Sequence, residues 1–136
     1  MPDHVVTRSV VVPVPPEETW DALVEPDRLE DWFADTVDAE VLAPDEEVLF
    51  RWDDGDRRDA VIEEVEVPRR LSFRWRDAEG EESHVEFHLD EHEAGTRVTV
   101  VESGLTDRAA ARRATAARAW GPRMTALGGA LQAVLV

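Results

Sequence analysis

The chain has 136 residues, enough for one domain with its own core, and a formal charge of −16. That charge repels phosphate backbones, so general nucleic-acid binding is not expected, and no apolar run approaches the roughly 18 residues a membrane span needs. With no cysteine, disulfides, thiolate metal sites and a cysteine nucleophile are all excluded.

Met1-Pro2-Asp3-His4 carries neither a basic flank nor an apolar h-region, which leads us to expect a cytoplasmic protein. Val5 to Val14 is rich in β-branched residues and reads as strand one, with Val10, Val12 and Val14 on one face and Pro13 marking its edge or end. Pro15-Pro16 followed by Glu17-Glu18 opens a short helix, because proline is preorganised for a first turn and acids there suit the helix dipole. Trp20, Leu23 and Val24 form its apolar face, and Pro26 stops it. A second short helix is expected over Asp27 to Ala34, with Leu29, Trp32 and Phe33 on its face.

Alternating segments follow. Val37, Ala39 and Val41 share one parity; after the turn at Ala43-Pro44-Asp45, so do Val48, Phe50 and Trp52. Asp53-Asp54-Gly55-Asp56 is a hairpin signal. Ala60 to Val67 reads as a strand with Val61, Val65 and Val67 on one face, its imperfect alternation at Val61-Ile62 suggesting a bulge. Beyond the corner Pro68-Arg69-Arg70, Leu71, Phe73 and Trp75 alternate with polar residues. After the turn at Asp77 to Gly80, Val85, Phe87 and Leu89 do the same. Past Glu93-Ala94-Gly95, Val98, Val100 and Glu102 share a face, and Ser103-Gly104 ends the strand. About six to seven strands, mostly hairpin-linked, form an antiparallel sheet with one wet face.

The dry face must be covered. Leu105 to Val136 supplies the cover: Trp120, Met124, Leu127, Leu131 and Val134 recur at helical spacing on one stripe. Asp107 to Ala119 is rich in alanine and arginine, favourable for a helix but without a bulky anchor, and reads as a gate over the interior. Pro122 marks a kink or the first turn of a separate helix. Gly128 lies beside the stripe, where it lets the backbone approach the sheet. No repeat or linker divides the chain, so residues 1–136 are read as one α+β domain: a curved antiparallel sheet around a long C-terminal helix, with two short helices after strand one.

All 15 basic residues are arginine. A GC-rich genome and a salt-loving host each explain an acidic, lysine-free chain. Arg108, Arg112, Arg113 and Arg118 form the one local basic cluster.

Four stretches together resemble a known family: Val12-Pro13-Val14-Pro15-Pro16-Glu17-Glu18-Thr19-Trp20-Asp21-Ala22-Leu23, Trp32-Phe33, Pro68-Arg69-Arg70-Leu71-Ser72-Phe73-Arg74-Trp75, and Glu102-Ser103-Gly104-Leu105. The chain is similar to the START-like (SRPBCC) superfamily, in the branch related to the C-terminal domain of the activator of the 90-kDa heat-shock protein ATPase. The resemblance implies a helix-grip fold and a cavity between sheet and helix for apolar or amphipathic small molecules. The chain departs from the family pattern after Leu105, with a longer, more arginine-rich approach to the final helix and Ala119-Trp120 where a Gly-Trp pair is common.

Glu102 is the one acid whose parity puts it on the dry face, as a polar anchor or a base, unless the strand end lets it reach water or an arginine. Glu63 and Glu64 lie in an ambiguous strand, and nothing shows either converging on Glu102. His84, His88 and His92 recur every four residues, but on a strand His84 and His88 stand roughly 13 Å apart, too far for one ion, and read as solvated. Asp53, Asp54 and Asp56 resemble the start of a calcium loop but lack its distal glutamate. No cofactor and no metal are expected.

The leading reading is a binding protein for an apolar or amphipathic small molecule, its site lined by Trp32, Phe33, Phe50, Trp52, Phe73, Trp75, Phe87, Val100, Glu102, Trp120, Met124 and Leu127. Any one ring taken singly is better suited to plain core packing, and the set of them to a cavity wall. Two alternatives come from other classes. An enzyme on the same scaffold, such as a cyclase or hydrolase with Glu102 as base, requires an inward acid or base. A co-chaperone-like interaction module requires a filled interior and an exposed apolar patch. No membrane partner is expected, a protein partner stays open, and the assembly is read as monomer or dimer.

Overall fold

Period-two alternation builds a seven-stranded antiparallel sheet in the computed structural model, which describes residues 4–109, 111 and 120–134. In chain order the elements are β1 (His4–Val12), α1 (Pro16–Val24), α2 (Pro26–Leu29), β2 (Thr36–Asp38), β3 (Glu47–Arg51), β4 (Arg57–Glu66), β5 (Arg70–Arg76), β6 (Glu82–His92), β7 (Gly95–Leu105) and α3 (Trp120–Val134). The strand order is β1-β7-β6-β5-β4-β3-β2, so every pair but β1–β7 joins strands consecutive in sequence. This is the helix-grip architecture, a curved sheet holding the terminal helix.

Trp120, Met124, Leu127 and Leu131 of α3 are all buried in one cluster with the inward residues of the sheet. The side chain of Val134, the fifth member of the stripe, lies outside the described set. α3 packs along β1, where a Cβ on Gly128 would sit 3.7 Å from Val10 Cγ2, an ordinary contact. Of the expected Asp107 to Ala119 helix, residues 107–109 are helical, with Thr106 Oγ1 accepting from the Ala109 N–H at 3.1 Å as a cap. Residues 110 and 112–119 lie outside the described residues.

The first strand is locked at its far end. Gly95 has φ +143°, and a Cβ there would stand 2.0 Å from the Val12 carbonyl oxygen. The adjacent Thr96 hydroxyl, buried, donates to the Val14 carbonyl at 2.8 Å. β1 therefore ends at Val12, two residues earlier than expected, and the chain turns into α1 against the start of β7.

Other boundaries also move. α2 closes at Leu29, not Ala34, because residues 30–33 continue as turns in which the Leu29 carbonyl accepts from the Trp32, Phe33 and Ala34 N–H groups. Turns at that spacing still bury Leu29, Trp32 and Phe33. β2 spans three residues only; Val41 is exposed and Leu42 takes the buried place. In β4, Ile62 continues the inward parity of Arg58 and Ala60, so Val61 is exposed; the bulge lies between Ile62 and Glu64, and Val67, past the end of the strand, is exposed too. The last strand runs on through Gly104, at φ +78°, to Leu105.

Candidate ligand site under the terminal helix

Parity places Glu102. Along β7 the residues Thr96, Val98, Val100 and Glu102 all face inward, and Glu102 is 1% exposed. A carboxyl group in such a place needs hydrogen-bond partners. Cross-strand register supplies two of them: Trp75 on β5 lies opposite Ser83 on β6, and Glu102 lies opposite Val85, two residues along the same face. Trp75 Nε1 donates to Glu102 Oε2 at 3.0 Å and Ser83 Oγ to the same oxygen at 2.6 Å. The helix supplies a third, with Trp120 Nε1 donating to Oε1 at 3.0 Å. Glu102 thus pins the described start of α3 to the centre of the sheet.

Around this carboxylate stand the large rings. Phe33, Trp75 and Trp120 lie nearly parallel, 15–22° between planes, with ring centroids 5.7–5.9 Å apart. Phe50 meets Phe33 edge-on at 4.9 Å, and Phe87 meets Trp120 edge-on at 5.6 Å. Each such pair contributes about 0.5–1.5 kcal/mol beyond its buried area. Trp32 is held by its Nε1 donating to the Ala22 carbonyl at 2.9 Å, and Trp52 by its Nε1 donating to the Phe33 carbonyl at 3.0 Å.

Of the twelve residues expected to line a site, all are buried except Trp52, which is half-buried, and the apolar ones belong to or pack against the protein's main hydrophobic core. Near Trp52 and Phe33 this cluster reaches the surface at a cleft of about 300 Å³, lined also by Trp32, Pro122, Arg123 and Ala126, with Glu30, Asp31 and Asp35 at its rim.

Three polar members were not foreseen. Ser83 shares parity with Val85 and Phe87, a signal that was there to read. Arg123 is 6% exposed; it follows Trp120 by three residues and precedes Met124, so it falls within the apolar stripe. Its guanidinium carbon lies 4.7–5.6 Å from the ring centroids of Phe33, Trp52, Trp75 and Trp120. Arg58, sharing parity with Ala60 and Ile62, is also buried and lies 4.8 Å from the Trp75 ring centroid.

The remaining candidates sit on the other face of the sheet. His84 Nε2 pairs with Glu63 Oε1 at 3.1 Å and His88 Nε2 with Glu86 Oε2 at 3.4 Å, so the two histidines serve different carboxylates. His92 Nδ1 accepts from the Ala94 N–H at the turn. Glu63 also accepts from Arg74 at 2.9 Å, and that hydrogen bond raises the already high arginine pKa. Glu64 pairs with Arg70. Neither glutamate turns toward Glu102: both belong to the outward ion-pair lattice.

A curved antiparallel sheet that grips one terminal helix is the architecture of START-like (SRPBCC) proteins. Residues 13–132 match the family described as Activator of Hsp90 ATPase homolog 1-like protein, and the chain belongs to that family. Among solved structures it is similar to protein MLL2253 from Mesorhizobium loti, with TM-score 0.86 and 24% identity over 96% of this chain and 98% of that one. It is similar to BH1534 from Bacillus halodurans, with TM-score 0.75 and 27% identity over 96% and 97%. It also resembles DynU16, described as a putative protein in the dynemicin biosynthetic locus, with TM-score 0.83 and 30% identity over 96% of this chain but 48% of DynU16. The chain matches no curated protein. Among the described residues, no helix is long and apolar enough to cross a membrane.

Proposed function

We propose that this protein binds an apolar or amphipathic small molecule between the sheet and α3, with the aromatic wall giving shape and Glu102 serving as a fixed polar point. The observation that carries this reading is the buried carboxylate set among large rings beside a cleft that reaches the same rings. Fold and family support it, since START-like proteins generally take small hydrophobic ligands. The position of DynU16 in a biosynthetic locus accords with a small-molecule ligand.

Two features favour binding over the alternatives. Glu102 accepts hydrogen bonds from Trp75, Ser83 and Trp120, which suits a fixed acceptor better than a base that must take a proton from substrate. The exposed large apolar residues among those described are Val5, Val11, Val41, Val61 and Val67, all valines and spread over β1, the β2–β3 connection, β4 and the β4–β5 corner. An interaction module would present a contiguous patch with aromatic anchors.

Native mass spectrometry of protein purified from its own host tests the reading. The expected result is a bound small molecule, released on denaturation, and quenching of tryptophan emission when it is added back. Bare protein from the host, with no uptake of any lipophilic probe, would count against it.

A further inference from the structure

The four rings around Arg123 form a box. A cation within about 6 Å of an aromatic centroid is drawn to the ring face, by about 0.5–1 kcal/mol when exposed and about 2 or more when desolvated. Here the Arg123 guanidinium meets Phe33, Trp52, Trp75 and Trp120 at 4.7–5.6 Å, and the residue is almost wholly buried. We propose that this box is a binding site for an organic cation, an ammonium or guanidinium group on an apolar body, which Arg123 fills from within when no ligand is bound.

The inference rests on the small-molecule reading above and names the class of ligand. Three features point to a cation. The ring faces carry the negative part of the aromatic quadrupole, so they attract cations and repel anions. Phe33, Trp52 and Arg123 itself line the 300 Å³ cleft, so the box has an opening. At its rim the side chains of Glu30, Asp31 and Asp35 are exposed carboxylates, and the whole chain carries −16. Such a field concentrates cations at the mouth and excludes carboxylate or sulfate headgroups. The same rim receives the displaced guanidinium: a long, flexible side chain swings outward to these acids while the ligand cation takes its place among the rings.

The test uses three ligands of similar shape: benzyltrimethylammonium, its neutral carbon isostere neopentylbenzene, and phenylacetate. Binding is read by calorimetry and by tryptophan emission, since Trp52, Trp75 and Trp120 all border the box. The expected result is that the cation binds at least tenfold more tightly than the neutral isostere, and phenylacetate least of all. Arg123→Met keeps the apolar stem but removes the internal competitor, so it should bind the cation at least tenfold more tightly than the parent. Should Arg123→Met fail to fold, the charge series on the parent protein decides alone. Equal affinity for the cation and its neutral isostere overturns the cation assignment and leaves the small-molecule reading standing. So does unchanged cation affinity in a folded Arg123→Met protein. Failure of all three ligands to bind overturns the cation assignment as well, and the small-molecule reading is then decided by the native mass spectrum.

Discussion

Replacing Glu102 by glutamine keeps the size of the side chain but changes one acceptor oxygen into a donor. The best orientation keeps the amide oxygen at the Oε2 position, facing Trp75 Nε1 and Ser83 Oγ, and turns the NH2 group toward Trp120 Nε1. Two donors then face each other in a buried place. One buried hydrogen bond is lost and two buried N–H groups are left facing each other, so Glu102→Gln should cost about 2–4 kcal/mol. With a urea m-value of about 1.5 kcal/mol/M, a loss of about 3 kcal/mol lowers the midpoint by about 2 M. In a Trp120→Phe background no indole N–H opposes the amide, and the same substitution should cost under about 1.5 kcal/mol. The double-mutant cycle should therefore give a coupling of about 1–3 kcal/mol. Urea unfolding followed by tryptophan emission and by far-ultraviolet circular dichroism measures all four proteins. Additive costs, or a Glu102→Gln penalty below about 0.5 kcal/mol, would mean that the carboxylate does not hold the helix as described.

The other predictions concern the frame around the site. Gly95→Ala should cost at least about 3 kcal/mol in urea unfolding, because its Cβ meets the Val12 carbonyl oxygen at 2.0 Å. Gly104→Ala, also at positive φ but meeting nothing among the described residues nearer than Ser83 Cα at 3.9 Å, should cost only about 1–2 kcal/mol; equal costs would refute the steric account. Gly128→Ala and Gly129→Ala should each raise the melting temperature by about 3–4 °C, since among the described residues the new Cβ meets only Val10 Cγ2 at 3.7 Å in the first and nothing within 4 Å in the second. With −16 of formal charge, the urea midpoint should rise between about 0.1 and 1 M NaCl as the Debye length falls from about 10 to 3 Å, and a flat or falling midpoint would show that surface ion pairs outweigh self-repulsion.

Much of this architecture was legible because a strand repeats every two residues and a helix every 3.6. The inward set Leu71, Phe73 and Trp75 follows from alternation alone, as does Glu102, and the helix stripe from Trp120 to Leu131 follows from its spacing. Alternation failed where the backbone changed parity. The bulge between Ile62 and Glu64 shifts the register of β4, and a one-residue slip moves side chains to the opposite face. The short turn after Leu29 satisfies the same spacing as the helix it replaced. The donors to Glu102 depend on which residue of β5 stands beside which residue of β6, and no local pattern states that register. Arg123 was passed over because arginine is rarely buried, although its place between Trp120 and Met124 put it within the stripe.

Energetics bear on what the buried charges are for. Taking a carboxylate or a guanidinium out of water costs several kcal/mol per ion, and well-packed apolar replacements of buried ions are often neutral or stabilising. A chain shaped for stability alone would place leucine and methionine where Glu102 and Arg123 stand. Trp75 and Trp120 each serve both residues, donating through Nε1 to the carboxylate and presenting a ring within 6 Å of the guanidinium. A ligand that moves Arg123 therefore acts on the same indoles that tie α3 to Glu102. If the box takes a cation as proposed, these polar groups would serve selectivity and would couple occupancy of the box to the seating of the helix. Loss of the Glu102–Trp120 bond should then weaken cation binding even though neither atom of that bond lies in the cleft.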